Sequence, residues 1–118
     1  MITIVAADPT PPFEQVRQQL TDQILSGNLP PGYRLPSVRQ LASDLNLAAG
    51  TVARAYSELE AAGLLESNRT GTRVRAVEAL PVQARQAARR YIASLPGLSL
   101  EDAIRAVRVE WGSQEASV

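Results

Sequence analysis

All twelve basic residues of this chain are arginines, and there is no lysine, histidine or cysteine. That set excludes disulfides and thiolate metal sites, removes the commonest metal ligand and general base, and leaves no amine for a Schiff base. No metal, cofactor or catalytic nucleophile is expected. What arginines can do well is meet phosphate. Between Gly32 and Ala76, Arg34, Arg39, Arg54, Arg69, Arg73 and Arg75 stand against Asp44, Glu58, Glu60 and Glu66, an excess of two positive charges in a chain of net charge zero. Phosphate contacts are local, so a neutral chain can still present a positive face, with modest nonspecific affinity.

Such side chains need elements to hold them, and residues 37–63 supply two amphipathic patterns separated by a short break. Val38, Leu41, Ala42 and Leu45 fall at i, i+3, i+4 and i+7, and Val52, Ala55, Tyr56 and Leu59 repeat that spacing. Ser37 and Gln40 have the spacing of a capping box, Asn46 marks the turn, and Gly63 supplies a left-handed residue that ends the second helix. Two short helices joined in this way form the helix-turn-helix, which lays its second helix in the DNA major groove.

Upstream, residues 1–10 are expected to form a loose N-terminal arm rather than an edge strand. Pro11 and Pro12 suit the first turn of a helix with Phe13, Val16, Leu20 and Ile24 on one stripe and Gly27 at its end. The turn-rich connector from Asn28 to Pro36 has room for a short extended piece at Tyr33 to Leu35. Downstream, residues 64–67 and 72–77 read as strands around Asn68-Arg-Thr-Gly71, whose glycine permits the positive φ of a tight turn. The expected fold is mainly α with a small β-hairpin, a winged helix-turn-helix over residues 11–77. At 118 residues the chain suits one domain, or a small one with an appendage. With no apolar run of membrane-spanning length and no signal-peptide pattern, a cytoplasmic location is expected.

The segment from Pro12 to Val77 resembles the DNA-binding domain of the GntR family of bacterial transcription regulators. Four pieces carry the likeness: Ile24-Leu-Ser-Gly27, Leu29-Pro-Pro-Gly-Tyr-Arg-Leu-Pro-Ser37, Thr51-Val-Ala-Arg-Ala-Tyr-Ser-Glu-Leu-Glu-Ala-Ala-Gly-Leu64 and Gly71-Thr72. The Arg-Ala-Tyr and Glu-Leu-Glu wording is similar to the YtrA-like branch, whose C-terminal part is short and helical. The resemblance implies DNA contacts from Arg39, from Ala49, Gly50, Thr51 and Arg54 at the start of the recognition helix, and from Arg69, Thr70, Gly71 and Thr72 at the wing tip. Arg34 and Ser37 in the matching connector complete the candidate set.

The chain departs from the family at the recognition helix. Ala48 stands where Ser or Thr usually caps, a loss of about 1 kcal/mol, and Ala49 and Gly50 leave the helix start small. Close backbone approach and methyl contact with thymine are therefore expected there. In the wing, Arg69 replaces the first glycine of the usual Gly-x-Gly and adds a cation for the minor groove.

Several of these residues have a plainer role open to them. Arg39 could be a solvated helix residue, Arg54 could pair with Asp44 or Glu58, and Arg34 could cover the connector. Arg73 and Arg75 read as a solvated edge of the second wing strand, and Tyr56 and Leu59 as core.

Residues 78–118 hold two further helical patterns. Leu80, Ala84, Ala88, Tyr91, Ile92 and Leu95 form one stripe. Pro96-Gly97 breaks it, Ser99 caps with Asp102, and Leu100, Ala103, Ile104, Val107 and Trp111 form the second. Arg85, Arg89 and Arg90 read as a solvated face. Two helices do not close a core alone, so homodimerisation is expected to cover the stripes, with packing within one chain as the alternative.

Together these readings describe a sequence-specific regulator of transcription: a dimeric repressor of its own operon, responding to an unidentified small-molecule effector. Two other classes compete. The GntR-like domain can precede an aminotransferase-like domain, but the absence of lysine excludes pyridoxal phosphate chemistry here. A winged helix serving as a protein-interaction module would not need Arg39, Thr51, Arg54 and Arg69 together, and a gel shift against the chain's own promoter separates the two. About 40 residues after the wing are too few for the larger effector domains of other GntR branches, which leaves the dimer interface, or the space between it and the winged helix, for any effector.

Overall fold

The computed structural model describes residues 2–116. Five helices and one hairpin follow in the order α1 (Pro12–Leu25), α2 (Val38–Leu45), α3 (Ala49–Ala61), β1 (Leu65–Asn68), β2 (Gly71–Val74), α4 (Val82–Ser94) and α5 (Leu100–Ala116). The chain divides into two compact units between Leu80 and Pro81, three residues later than the expected end of the winged helix.

In the first unit, Val16, Leu20 and Ile24 from α1, Leu41 and Ala42 from α2, and Val52, Ala55, Tyr56 and Leu59 from α3 form one core. Leu29 and Leu35 from the connector and Leu65 and Val74 from the hairpin close it. Each expected helical stripe therefore faces inward, which is what fixes the three helices against one another. Phe13, the first residue of the α1 stripe, is only half-buried.

Helix ends follow local chemistry. Pro12 starts α1, and Gly27 turns the chain out of it with φ +82°. Ser37 Oγ accepts the Gln40 amide at 3.1 Å, but the Gln40 side chain donates to Asp44 Oδ1 rather than returning to Ser37, so the capping box is half formed. Asn46 leaves α2 in the left-handed region at φ 55°, and Ala48 offers α3 no side-chain cap.

The hairpin pairs Leu65 with Val74 and Asn68 with Gly71 in antiparallel register. It is shorter than expected at its far end, since β2 stops at Val74 and Arg75 lies beyond it. The connector supplies a further pairing: the Val74 amide donates to Tyr33 O, the Leu35 amide to Thr72 O, and Arg34 bridges Arg73. The expected extended piece at Tyr33 to Leu35 is thus an added strand-like edge on β2.

The N-terminal segment is not a loose arm. Gln19 accepts from the Thr3 amide at 2.9 Å and donates to Thr3 O at 2.7 Å, while Gln15 accepts from Val5 N at 2.9 Å and donates to Val5 O at 3.1 Å. Each glutamine amide thereby takes the place of a peptide group in a strand ladder. Four residues of helix rise about 6 Å and two residues of strand about 6.6 Å, so glutamines spaced i, i+4 can grip alternate residues of an extended chain. Gln15 is buried, also donates to Thr10 O at 2.9 Å, and leaves none of its side-chain polar atoms unsatisfied. Ile4, between these grips, and Ile2, just before the first, pack against the core.

In the second unit, α4 and α5 form a hairpin. Ser99 Oγ accepts the Asp102 amide at 3.1 Å, as the sequence leads one to expect, and Tyr91 Oη donates to Ala103 O at 3.2 Å. Two expected members of the first stripe lie off the helix. Leu80 precedes α4 and belongs to the first unit, where its amide donates to Leu25 O at 2.7 Å; Leu95 is the C-cap, with φ −132°. Pro81 accounts for the shift, because it occupies the N-cap and delays the helix to Val82.

Candidate nucleic-acid interface

Three stretches carry the candidate residues. The first is the start of α3, where the Ala49 and Gly50 amides have no acceptor among the described residues because Ala48 cannot cap. Ala49 and Gly50 are exposed, and a Cβ added at Gly50 would meet nothing within 4 Å. Unpaired amides at a helix start, with the positive end of the helix dipole behind them, favour an anion. Thr51 is half-buried, its amide bonded to Ala48 O at 3.1 Å.

Arg54, one and a half turns further on, projects back over α1. Its guanidinium carbon lies 3.6 Å from the Phe13 ring centroid, and its Nε is 3.8 Å from Glu58 Oε1. Glu58 Oε2 in turn lies 3.9 Å from Arg17 Nε, and Arg17 pairs with Glu14. Of the two carboxylates open to Arg54, the partner is therefore Glu58; Asp44 is taken by Gln40. Hydrogen bonds from Arg17 hold the Glu14 carboxyl below the usual carboxylate range and raise the guanidinium of Arg17 in return. Phe13 and this ion-pair chain are what sequence reasoning missed. The signal was faint, since Phe13 sits on the apolar stripe of α1 and reads as core.

The second stretch is α2 and the residue that caps it. Arg39 is exposed and makes no ion pair among the described residues, whereas the Ser37 hydroxyl oxygen is engaged by the helix cap.

The third is the wing. Arg69 and Thr70 form its two-residue turn, and Asn68 Oδ1 braces it by accepting from Thr70 N at 2.8 Å and Thr70 Oγ1 at 2.6 Å. Gly71 takes φ +127°, the positive value expected of it. Thr72 Oγ1 lies 2.9 Å from Ser67 Oγ, and Ser67 also bonds to Glu60. The Arg34 side chain crosses to this strand and lies against Gly71, so Arg34 joins the connector to the wing. Arg73 Nη1 donates to Gly32 O at 3.3 Å, which makes it more than a solvated edge.

Three helices, a hairpin after the third, and cations at the second helix and the hairpin turn define a winged helix-turn-helix of the DNA-binding class. Residues 12–74 match the model of the family described as bacterial regulatory proteins, gntR family, and the chain belongs to that family. It is 45% identical over 98 residues to the HTH-type transcriptional regulator Rv1152 of Mycobacterium tuberculosis, a match covering 80% of this chain and 81% of that protein. The HTH-type transcriptional repressor YtrA of Bacillus subtilis is 44% identical over 69 residues, 58% of this chain and 53% of that one. Among solved structures, YtrA from Sulfolobus acidocaldarius, a GntR-family transcription factor, superposes with a TM-score of 0.61 at 30% identity, covering 78% of this chain and 95% of its own. The chain is a YtrA-like DNA-binding transcription regulator. Among the described residues no helix is long and apolar enough to cross a membrane.

Proposed function

We propose that this regulator is a homodimeric repressor of its own operon, joined through the α4–α5 hairpin and released from its operator by an effector. One observation carries the reading: the hairpin encloses an open apolar groove of about 570 Å³, and Ile92, Leu100 and Trp111 on it are 67%, 76% and 64% exposed. Ala88, Tyr91, Ile104 and Val107 line the same groove, Leu95 borders a neighbouring depression, and Ala84 is exposed on α4. Charge supports a second copy as the cover. α4 carries Arg85, Arg89 and Arg90 with no acid, while α5 has Glu101, Asp102, Glu110 and Glu115 against Arg105 and Arg108, an excess of two negative charges. Two hairpins exchanging α4 for α5 neighbours would pair opposite charges around an apolar centre.

On this reading Arg39 meets phosphate, residues 49–54 enter the major groove and residues 69–72 reach the minor groove, with Arg34 and Ser37 at the margin. A small apolar effector would occupy the groove between α4 and α5. Gel shifts with the promoter of its own operon, alongside sedimentation of the full chain, test the proposal. A dimer that binds a palindrome, and an Ile104→Asp variant that sediments as a monomer and binds at least tenfold more weakly, are expected because the second half-site adds roughly 10²- to 10⁴-fold in effective concentration. Monomeric wild type with undiminished palindrome affinity would rule the dimer out.

A further inference from the structure

The Phe13–Arg54 stack lies at the edge of the recognition helix, and its geometry is more specific than core packing requires. The Phe13 face is occupied by the Arg54 guanidinium at 3.6 Å, while Glu58 takes the Nε side at 3.8 Å. Those two neighbours fix the plane of the guanidinium and the direction of its stem. The arginine stays 62% exposed, so its terminal fork is open to an outside acceptor. Glu58 is itself held from the other side by Arg17, which stops it from swinging freely toward Arg54. An arginine presented in this way gives up less side-chain freedom on binding, since its rotamers are already restricted.

We infer that Phe13, on α1, is a positioning residue for operator binding, holding Arg54 ready to meet a phosphate or base edge of the DNA. The inference rests on the reading that the first half of α3 faces the operator. It predicts that α1 contributes to affinity without touching DNA, through the π face of one side chain rather than through its bulk.

Operator dissociation constants of the full-length protein decide it, measured for the wild type, Phe13→Leu, Phe13→Tyr, Arg54→Ala and the Phe13→Leu/Arg54→Ala double variant, with thermal melting of each as a control for folding. Phe13→Leu should weaken binding by about two- to fivefold, the size of a partly exposed cation–π contact. Phe13→Tyr, which keeps the ring, should restore wild-type affinity. In the Arg54→Ala background the Phe13→Leu change should have no further effect. A Phe13→Leu loss that persists at full size without Arg54, or Phe13→Leu binding equal to wild type while Arg54→Ala is impaired, would overturn the positioning role and leave the DNA-facing reading of α3 intact. Undiminished binding by Arg54→Ala would overturn it too, because nothing would remain to be positioned. Absence of operator binding by the wild type would instead refute the operator reading, and the inference with it. If Phe13→Leu melts far below wild type, Glu58→Gln provides the second arm: it removes the opposing charge while leaving the ring, and should change operator affinity only when Arg54 is present.

Discussion

Arg34 lies against the missing side chain of Gly71: a Cβ built on that glycine would stand 3.0 Å from Arg34 Nε and 3.6 Å from its Cζ. The same glycine holds φ +127°, a conformation that L side chains rarely adopt. Gly71→Val should therefore destabilise the protein by about 1 kcal/mol or more. Arg34 is flexible, so Arg34→Ala should recover only the steric part of that loss. A double-mutant cycle read by urea unfolding separates the two, and complete recovery would show that the backbone angle costs nothing.

Arg39 is exposed on α2 and has no ion pair among the described residues. Replacing it with Ala should leave the melting temperature unchanged while lowering operator affinity. Loss of one phosphate contact should reduce the slope of log K against log salt by about one unit. Equal slopes for both proteins would remove Arg39 from the interface.

Gly50 occupies the first turn of α3 with no positive φ and open space around its absent side chain. The fold does not require a glycine there, so Gly50→Ala should stabilise the protein by up to about 0.5–1 kcal/mol. If the bare helix start approaches DNA closely, the same methyl group should weaken operator binding. A variant both more stable and equally tight would show that DNA does not come near this backbone.

Tyr56 is buried, its Oη donates to Pro36 O at 2.7 Å, and burial pushes its hydroxyl up from 10.0 to about 12. Between those two values the unfolded chain releases the phenolic proton while the folded chain keeps it. The folded state binds more protons, so stability should fall as pH rises from about 10 to about 12, and this group should give no pH dependence below that window. Tyr56→Phe should flatten this part of the profile while lowering stability at neutral pH by about 1 kcal/mol through the stranded Pro36 carbonyl. An alkaline slope that survives the substitution would have to arise elsewhere.

Much of the architecture could be read from spacing because it depends on local rules. Val52, Ala55, Tyr56 and Leu59 all turn inward as their period demands, and Asn46, Gly63 and Gly71 all take positive φ. What escaped depends on contacts between distant residues of similar local meaning. Gln15 and Gln19 look like ordinary polar positions on a helix until an extended segment passes beside them. Gln40 had the right spacing to close a capping box, yet Asp44 at i+4 competes for its amide and wins. In the candidate interface, the partnership of Arg54 with Phe13 joins residues 41 positions apart on different helices. No periodicity encodes that pairing. Leu80 fits the α4 stripe by spacing, and the rigid ring of Pro81 excludes it.

The glutamine clasp also bears on how the start of the chain can change over evolutionary time. Gln15 and Gln19 hold Thr3 and Val5 only by their backbone amides and carbonyls, so those two positions should accept nearly any side chain. Proline is the exception, since it lacks the donor hydrogen that each grip needs. Ile2 and Ile4 face the core and should remain apolar. Family members that keep a glutamine at both helical positions should therefore show alternating freedom and constraint along the segment matching residues 2–5, and members that lose either glutamine should show no such alternation.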